Sequence, residues 1–188
     1  AVVEPGIASA GLQAEAFKRN LLTSEILGQV LFLRDKFSVG LTNFVFMGMG
    51  EPLDNYDNVI RAVRIINDAK GLGIAARRIT ISTAGITPGI ERLNELGLQV
   101  NLALSLHSTK EEVRSGLMPV NKKYPLKSLL RAAEVSAQKT GRIMTIEWVL
   151  LRDINDTVEE ARRLAAVAKR LRAKVNLIPC SPASGKNL

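Results

Sequence analysis

Cysteine and histidine are nearly absent from this 188-residue sequence, which contains one of each. A single cysteine, Cys180, excludes an internal disulfide framework and any metal site built only from cysteines of this chain. Aromatic residues make up 4% of the chain, too few for stacking many single-stranded bases. No stretch of about 20 mostly apolar residues offers a membrane helix, and no secretory signal pattern is visible. We therefore expect a soluble, cytoplasmic, monomeric protein that does not bind membranes.

The charge of the chain is strongly positive. Twenty-six Lys and Arg residues face 18 Asp and Glu residues, which gives a net charge of +8. This excess suits a polyanionic partner such as RNA but does not indicate a fold. With 46% apolar residues the chain can bury a core, and its length predicts a single α/β domain over residues 1–188.

Five short runs of apolar and β-branched residues alternate with longer segments of helical periodicity. The predicted strands are 42–49, 78–83, 100–106, 143–151 and 174–178. Their nearly continuous apolar character is typical of parallel strands that are covered on both faces. The alternation predicts a barrel, a partial barrel or an open doubly wound sheet. Because the chain starts on a loop and a helix, we expect that one strand of the repeating unit is missing at the front.

Five helices are predicted, one before the first strand and one after each of the first four strands. Their starts are marked by residues that favour a helix N-terminus, namely Thr23, Asp57, Thr87, Pro125 and Thr157.

The end of the first predicted strand carries groups that suit a ligand. In parallel α/β folds, ligands bind at the carboxyl ends of the strands. The first strand ends in Gly48-Met49-Gly50-Glu51-Pro52. The glycines allow a ligand to approach the backbone closely, and the Glu51 carboxylate can accept a hydrogen bond from an ammonium or a hydroxyl group.

Three further strands end in small, hydroxylated or charged residues. The segments are Ser82-Thr83-Ala84-Gly85, Ser105-Leu106-His107-Ser108 and Pro179-Cys180-Ser181-Pro182. Ser105 and His107 are expected on the same side of an extended chain. Because the strand bodies are apolar, this repetition predicts a ligand site at their shared edge.

Each of these groups also has a structural interpretation. Glu51 could cap the following helix, and Ser82 and Thr83 could satisfy backbone groups at a strand end. His107 could be structural, and Cys180 could be a buried small hydrophobe. A different hypothesis is an unrelated α/β-barrel enzyme that uses Glu51 and His107 as acid and base.

Basic pairs recur along the chain. Lys122-Lys123 follows Met118-Pro119-Val120-Asn121, which we expect to be a loop on the ligand face, where the two lysines can contact RNA phosphates. Arg162-Arg163 and Lys169-Arg170 are interpreted as the solvated surface of a helix.

Five segments of the chain, within residues 20–179, carry a resemblance to a known family. They are FVFMGMGEPLDNYDNV, GLGIAARRITISTAG, LALSLHSTKEEVRSGLMPVNKKYPL, IEWVLLRDINDT and KVNLIP. In this order they resemble the radical S-adenosylmethionine enzymes that methylate adenine C2 in ribosomal RNA, whose family includes dual-specificity enzymes for transfer RNA and C8-methylating resistance enzymes. The resemblance implies a partial (β/α)6 barrel, here lacking its first strand. The family's N-terminal RNA-binding domain and C-terminal cysteine segment are expected to be absent.

The resemblance also implies roles for individual residues. Gly50 and Glu51 would hold the amino group of S-adenosylmethionine, and Ser82 and Ser105-Leu106-His107 would contact the rest of this cofactor. Ser181 stands where relatives have Asn and would make an altered contact. The resemblance implies ribosomal RNA as the partner, and transfer RNA as a further partner.

The sequence departs from the family in its cysteines. The family's CxxxCxxC motif, whose thiolates hold an iron–sulfur cluster, should precede Arg19-Asn20-Leu21. The corresponding stretch, AVVEPGIASAGLQAEAFKRNL, contains no cysteine. We therefore expect this chain to be unable to turn over alone. It is either part of an ordinary methyltransferase or a degenerate homologue that binds S-adenosylmethionine or RNA without radical chemistry.

Overall fold

Among the residues that the structure describes, five parallel strands form one sheet, in the order in which they occur in the chain. The computed structural model describes residues 19–38 and 40–180. Its strands are β1 (Phe44–Phe46), β2 (Ile79–Thr83), β3 (Asn101–Ser105), β4 (Thr145–Leu150) and β5 (Lys174–Pro179). All five predicted strands are confirmed, although β1 is much shorter than the predicted segment 42–49.

Seven helices lie between or beside these strands in the described part of the chain. They are α1 (Thr23–Phe37), α2 (Tyr56–Asn67), α3 (Thr87–Glu95), α4 (Glu111–Leu117), α5 (Val120–Lys123), α6 (Leu126–Thr140) and α7 (Val158–Leu171). None of the described helices is long and apolar enough to cross a membrane. The prediction of a loop at Met118–Asn121 is wrong, because α5 begins within it and α4 ends just before it. The buried residue of α4 is an arginine, so this helix lacks the apolar stripe that would reveal it in the sequence.

The order of the strands decides between the three architectures predicted from the sequence. Connections between parallel strands are right-handed in nearly all proteins, so a sheet wound in chain order carries its helices on one face. A doubly wound sheet would instead reverse its direction at a switch point. The sheet shows no such reversal among the described strands, and the α/β fold is therefore that of a partial barrel.

Helix starts follow the predicted residues, although one of the two predicted capping roles is wrong. The Thr157 hydroxyl caps α7 by accepting the backbone N–H three residues later at 3.2 Å. Thr23 does not cap α1, so that prediction is wrong: the carboxylate of Glu25 accepts the Leu22 backbone N–H at 2.7 Å. The Thr23 hydroxyl donates instead to Oδ1 of Asn58 at 3.0 Å, which ties α1 to α2. The other three predicted helices begin within one residue of the expected position.

The hydrophobic core lies between the sheet and the helices. Alternate strand residues point toward the helices, as Ile79 and Ile81 do in β2. The indole of Trp148 in β4 is 1% exposed and is the largest fully buried side chain among the described residues. The core keeps the strands in register and so fixes the positions of their carboxyl ends.

The opposite face of the sheet carries mainly polar side chains, whereas the strands were expected to be nearly continuously apolar and covered on both faces. Strand register places eight polar side chains on this side: Thr80, Ser82, Asn101, Ser105, Thr145, Glu147, Lys174 and Asn176. We call this side the polar face. The sequence did not reveal this face, because apolar residues alternate with the polar ones and the strands are short.

Candidate functional site

Each of the first four strands leaves the sheet through a residue with a positive φ angle. β1 is followed by Gly48 (138°) and Gly50 (96°), β2 by Gly85 (118°), β3 by His107 (57°) and β4 by Asp153 (60°). These sharp turns gather the residues that follow the strands at one edge of the sheet. We call this edge the strand-end site.

Glu51 joins the ends of β1 and β2. Its Oε1 accepts the Leu53 backbone N–H at 2.9 Å, and its Oε2 accepts the Ala84 backbone N–H at 2.5 Å. Because α2 begins only at Tyr56, the interpretation of Glu51 as a helix cap is wrong. The Thr83 side chain also hydrogen-bonds to this carboxylate. A carboxylate offers about four lone-pair sites, so these hydrogen bonds still leave room for a ligand.

The Glu51 carboxylate has no cationic partner among the described residues. Burial raises its pKa above the ordinary value, and the hydrogen bonds from Ala84 and Leu53 oppose this shift. None of the ion pairs in the described part of the chain includes Glu51. A partly desolvated carboxylate with free lone pairs favours an ammonium group as its ligand.

Two hydroxyl residues of β2 differ in their roles. Thr83 is buried, and its Oγ1 accepts the Gly85 backbone N–H at 3.0 Å, which confirms the backbone role predicted for it. Ser82 lies on the polar face, is half-buried, and makes no side-chain hydrogen bond within the described residues. Ser105 in β3 lies on the same face, whereas the side chain of Leu106 belongs to the core. Ser82 and Ser105 can therefore present hydroxyls to a ligand.

Arg114 organises the strand ends, and sequence reasoning missed it. The residue is 0% exposed. Its guanidinium donates to the carbonyl oxygens of Ala84 (2.6 Å), Ser105 (3.2 Å) and Leu106 (3.1 Å), and to Oδ1 of Asn121 (2.6 Å). The sequence does not predict that Arg114 is buried, because arginine is usually exposed and a single arginine forms no periodic pattern.

The surroundings of Arg114 extend this network into α4 and α5. Burial lowers the pKa of Arg114 to about 10, and the nearby Glu111 carboxylate opposes that shift. Asn121 is also fully buried and donates to Oε1 of Glu111 at 2.6 Å. Because Ala84 contacts both Glu51 and Arg114, one network of hydrogen bonds connects the ends of β1, β2 and β3.

Gly85 is required where β2 passes this network. Besides its φ of 118°, a Cβ atom on Gly85 would come within 2.9 Å of Cδ2 of Leu129 and 3.2 Å of Nη2 of Arg114. A side chain would therefore both strain the backbone and displace the guanidinium.

His107 is held by the backbone of β4. Its Nδ1 accepts the Val149 N–H at 3.0 Å, so the neutral ring carries its proton on Nε2. Asn155 fixes the same turn by donating to the carbonyl oxygens of His107 and Val149, each at 2.8 Å. Burial lowers the pKa of His107 to about 4, and the charge of Arg114 acts in the same direction. The hypothesis of an acid–base pair gains no support from an imidazole whose Nδ1 is already occupied.

The expectation that Ser105 and His107 share one side of an extended chain is wrong. β3 ends at Ser105, and the left-handed φ of His107 turns its ring toward β4. Nδ1 of His107 therefore has a structural role, as one of the two interpretations of this residue predicted. Nε2 has no acceptor among the described residues, so it can still donate one hydrogen bond to a ligand.

A cavity of about 370 Å³ lies beside the free edge of β1 and reaches Gly50 and Glu51. Apolar side chains of α1 and β1 form most of its wall, including Ile26, Val30 and Phe44. Within the described ranges β1 pairs with β2 alone. The cavity connects the Glu51 carboxylate to open space and has the apolar lining with few polar groups that is typical of ligand sites.

The two lysines predicted to contact RNA are exposed on α5. Lys122 and Lys123 follow Asn121, whose bond to Arg114 fixes α5 beside the strand ends. Neither lysine takes part in an ion pair with the described residues. The Lys123 ammonium group lies 5.3 Å from the centre of the Tyr124 ring, and both lysines are exposed to an anionic partner.

Metal ligands are scarce in this chain. Cys180 is partly exposed, so its interpretation as a buried small hydrophobe is wrong, while Ser181 lies outside the described residues. No cluster of three or more potential metal ligands occurs within 19–38 and 40–180, and the full sequence has one cysteine. An iron–sulfur cluster needs several thiolates, so the residues of this chain do not fit such a group.

Comparisons with known proteins agree with this fold. A model of the radical SAM superfamily matches residues 12–165. The crystal structure of a radical SAM methyltransferase from Sphaerobacter thermophilus is similar with a TM-score of 0.84 at 40% identity, over 91% of this chain and 51% of that protein.

Curated relatives carry the name probable dual-specificity RNA methyltransferase RlmN. The protein from Akkermansia muciniphila is 48% identical over 168 residues, which are 89% of this chain and 47% of the relative. The protein from Thermotoga maritima is 47% identical over 166 residues, 88% and 48% of the two chains. The chain thus spans about half the length of the curated relatives it matches. These matches confirm the resemblance drawn from the sequence segments.

Proposed function

Because this chain belongs to the radical SAM superfamily, we propose that its strand-end site binds S-adenosylmethionine for the methylation of adenine C2 in RNA. The substrate in this proposal is 23S ribosomal RNA, with transfer RNA as a second substrate. The observation that carries it is the Glu51 carboxylate, which is partly desolvated, lacks a cationic partner among the described residues and borders a cavity. RNA methylation is named for relatives twice as long as this chain, so the activity as a whole belongs to the proposal.

In this proposal, the residues of the strand-end site contact different parts of S-adenosylmethionine. Glu51 accepts hydrogen bonds from the ammonium group of S-adenosylmethionine, and Gly50 lets the methionine part approach the backbone. Ser82 and Ser105 offer hydroxyls from the polar face, and Nε2–H of His107 donates at the end of β3. Leu106 is given no hydrogen bond to the cofactor, because its side chain is in the core and its backbone N–H and carbonyl oxygen are already bonded within the chain. S-adenosylmethionine supplies the transferred carbon when it is bound.

The chemistry of an iron–sulfur cluster is not assigned to this chain, since the chain has one cysteine. The same count favours a second candidate function, in which the domain binds S-adenosylmethionine or RNA without radical chemistry. Both candidates share the binding steps, so binding is the property to test first.

Calorimetric titration with S-adenosylmethionine tests the proposed cofactor site. We expect the purified chain to bind, and we expect Glu51→Gln to weaken binding by about 1–3 kcal/mol, the scale of a hydrogen bond to a charged group. The neutral amide keeps the shape of the side chain but removes its charge and one acceptor oxygen. The measured quantity is the dissociation constant of each variant.

Glu91→Gln is the matched control, because it removes the same charge from an exposed position on α3. It should leave the affinity unchanged. Equal affinities of the wild-type chain and Glu51→Gln would show that Glu51 only stabilises the turn and does not contact the ligand. Absence of binding by a folded chain would overturn the proposed cofactor site.

RNA is the proposed partner of the exposed lysines on α5. The net charge of +8 and the position of Lys122 and Lys123 beside the strand ends support this part of the proposal. Replacing both lysines with alanine should weaken RNA binding and flatten its dependence on salt. Each lost phosphate contact lowers the slope of log K against log salt by roughly 0.7–0.9, and fluorescence anisotropy at several salt concentrations measures it.

A second double variant separates local contacts from net charge. Arg162→Ala with Lys169→Ala removes two exposed charges from α7, on a surface interpreted as solvated. It should change the slope less than the α5 variant does. Identical slopes for the two double variants would show that Lys122 and Lys123 make no specific phosphate contacts and are ordinary solvated surface residues.

A further inference from the structure

Asn121 is a buried amide that the proposed cofactor contacts leave unused. It belongs to α5 and is fully buried. Its Oδ1 accepts a hydrogen bond from Nη1 of Arg114 at 2.6 Å, and its Nδ2 donates to Oε1 of Glu111 at 2.6 Å and to Oγ of Ser115 at 2.8 Å. A guanidinium only donates and a carboxylate only accepts, so one orientation of the amide satisfies both neighbours. Asn121 therefore holds the Arg114 guanidinium from a fixed direction.

The Arg114 guanidinium in turn holds the backbone that Glu51 contacts. Its Nη2 donates to the carbonyl oxygen of Ala84 at 2.6 Å, and the Ala84 N–H donates to Oε2 of Glu51 at 2.5 Å. Ala84 follows the last residue of β2 and lies outside the registered pairs of β2 and β3. Sheet pairing therefore does not set its conformation, and among the described residues Arg114 is the hydrogen-bond donor that holds its carbonyl oxygen.

The direction of the Glu51 carboxylate depends on Ala84. One carboxylate oxygen accepts from Leu53, two residues along the chain, and the other accepts from Ala84 across the strand ends. A displacement of the Ala84 N–H would rotate the carboxylate, because a hydrogen bond weakens steeply when its geometry is lost. The rotation would change the direction in which the remaining lone pairs meet the cavity that reaches Glu51.

We propose that Asn121 is a positioning residue for the ammonium site of Glu51. By holding Arg114, Asn121 fixes Ala84. Ala84 in turn fixes the lone pairs of Glu51 that a ligand ammonium group meets. Acceptors that are already in place bind a charged group more tightly than acceptors that must first reorient. This inference rests on the proposed function of the strand-end site.

Two ligands that differ in the ammonium group test this role. Calorimetric titration measures S-adenosylmethionine and 5′-methylthioadenosine, which keeps the nucleoside and the sulfur but lacks the amino-acid end. Asn121→Ala removes the acceptor that holds Arg114 and should weaken S-adenosylmethionine binding by roughly 2- to 10-fold, the scale of one hydrogen bond. The affinity for 5′-methylthioadenosine should stay unchanged, because this ligand has no ammonium group to meet Glu51. A general loss of structure would instead weaken both ligands alike.

A polarity exchange separates positioning from packing. Asn121→Asp with Glu111→Gln swaps the amide and the carboxylate at constant net charge. The new carboxylate still accepts from Arg114, and the new amide donates to that carboxylate. The carbonyl oxygen of this amide can accept the Leu126 N–H, which Glu111 accepts at 3.0 Å in the wild-type chain. We expect the double variant to bind S-adenosylmethionine as the wild-type chain does, and an affinity as low as that of Asn121→Ala would contradict the positioning role.

The single variant Asn121→Asp places two carboxylates side by side, which disfavours the charged form of both. It should weaken S-adenosylmethionine binding and leave 5′-methylthioadenosine binding unchanged. Thermal unfolding of each variant shows whether it is folded. Asn121→Asp takes the place of Asn121→Ala if the Ala variant is not folded.

A double-mutant cycle tests whether Asn121 acts through Glu51. Because the effect passes through that carboxylate, Asn121→Ala should change the affinity little once Glu51→Gln is present. Additive losses would overturn the inference. Gln138→Ala, which removes an exposed amide from α6, is the matched control and should leave both affinities unchanged.

The Ala84 amide proton gives a readout that needs no ligand. In the wild-type chain its resonance should move as the Glu51 carboxylate titrates, because the two groups share a hydrogen bond. In Asn121→Ala this movement should be smaller, since Ala84 is held less firmly. Proton–nitrogen NMR spectra at several pH values measure it.

The outcomes separate this inference from the proposed function. If a folded wild-type chain fails to bind S-adenosylmethionine while the Ala84 resonance depends on Asn121, the proposed function fails and the positioning of Glu51 stands. If S-adenosylmethionine binds in a Glu51-dependent way and Asn121→Ala changes neither its affinity nor the Ala84 resonance, the proposed function stands and the inference is overturned. An equal loss of affinity for both ligands, with the Ala84 resonance unchanged, would also overturn it, since Asn121 would then be purely structural.

Discussion

Replacing Arg114 with methionine is expected to lower the free energy of unfolding by roughly 3–5 kcal/mol, because several buried acceptors lose a charged donor at about 1–3 kcal/mol each. The substitution removes the guanidinium donor from the carbonyl oxygens of Ala84 and Ser105 and from Oδ1 of Asn121, whereas the carbonyl oxygen of Leu106 keeps the Ser108 N–H at 2.8 Å. Buried acceptors without donors are destabilising, and a domain of this kind has only about 5–15 kcal/mol of stability in total. Urea denaturation of the purified chain measures the effect.

Two further variants define what Arg114 contributes. Arg131→Met removes an arginine from an exposed position on α6 and should change stability by no more than about 0.5 kcal/mol. Arg114→Lys keeps a positive charge but loses the planar fork that reaches four acceptors, so its stability should lie between wild type and Arg114→Met. Equal effects at positions 114 and 131 would contradict the organising role of Arg114.

The stability of the fold is expected to fall by about 3 kcal/mol as the pH decreases from 6.5 to 4, owing to His107. Burial lowers the pKa of this imidazole from 6.5 to about 4 in the folded chain. Between these values the unfolded chain binds the proton and the folded chain does not, so acid favours unfolding. Above pH 6.5 the imidazole is neutral in both states, and its contribution is fully present. Urea denaturation at several pH values measures the loss.

His107→Asn isolates this term from the carboxylates that titrate in the same range. Asparagine tolerates the left-handed φ of 57° and offers a carbonyl oxygen to the Val149 N–H. Glu51 acts in the opposite direction, because its raised pKa favours the folded state as the pH falls. The difference between wild type and His107→Asn therefore carries the histidine term. Parallel stability curves for the two chains would show that His107 titrates alike when folded and unfolded.

Part of the candidate site was predicted from the pattern of residues alone. Gly50, Glu51 and Ser82 were predicted from their places after apolar runs, since parallel strands end at one edge. Arg114 and Glu147 were not predicted, because charged residues within helices and strands are normally exposed. Their burial depends on what lies across from them in the folded chain: carbonyl oxygens of two strand ends for Arg114, and a neighbouring strand for Glu147.

The sequence by itself determined the alternation of strands and helices, because apolar periodicity and helix start residues act over a few neighbours along the chain. It also determined the family, through five segments whose order and wording are specific. Only the tertiary structure decided which side of each strand faces the helices, and hence that a polar face exists. It alone turned His107 toward β4 and joined Glu51 to Ala84. These features depend on contacts between residues more than 30 positions apart, which local sequence patterns do not encode.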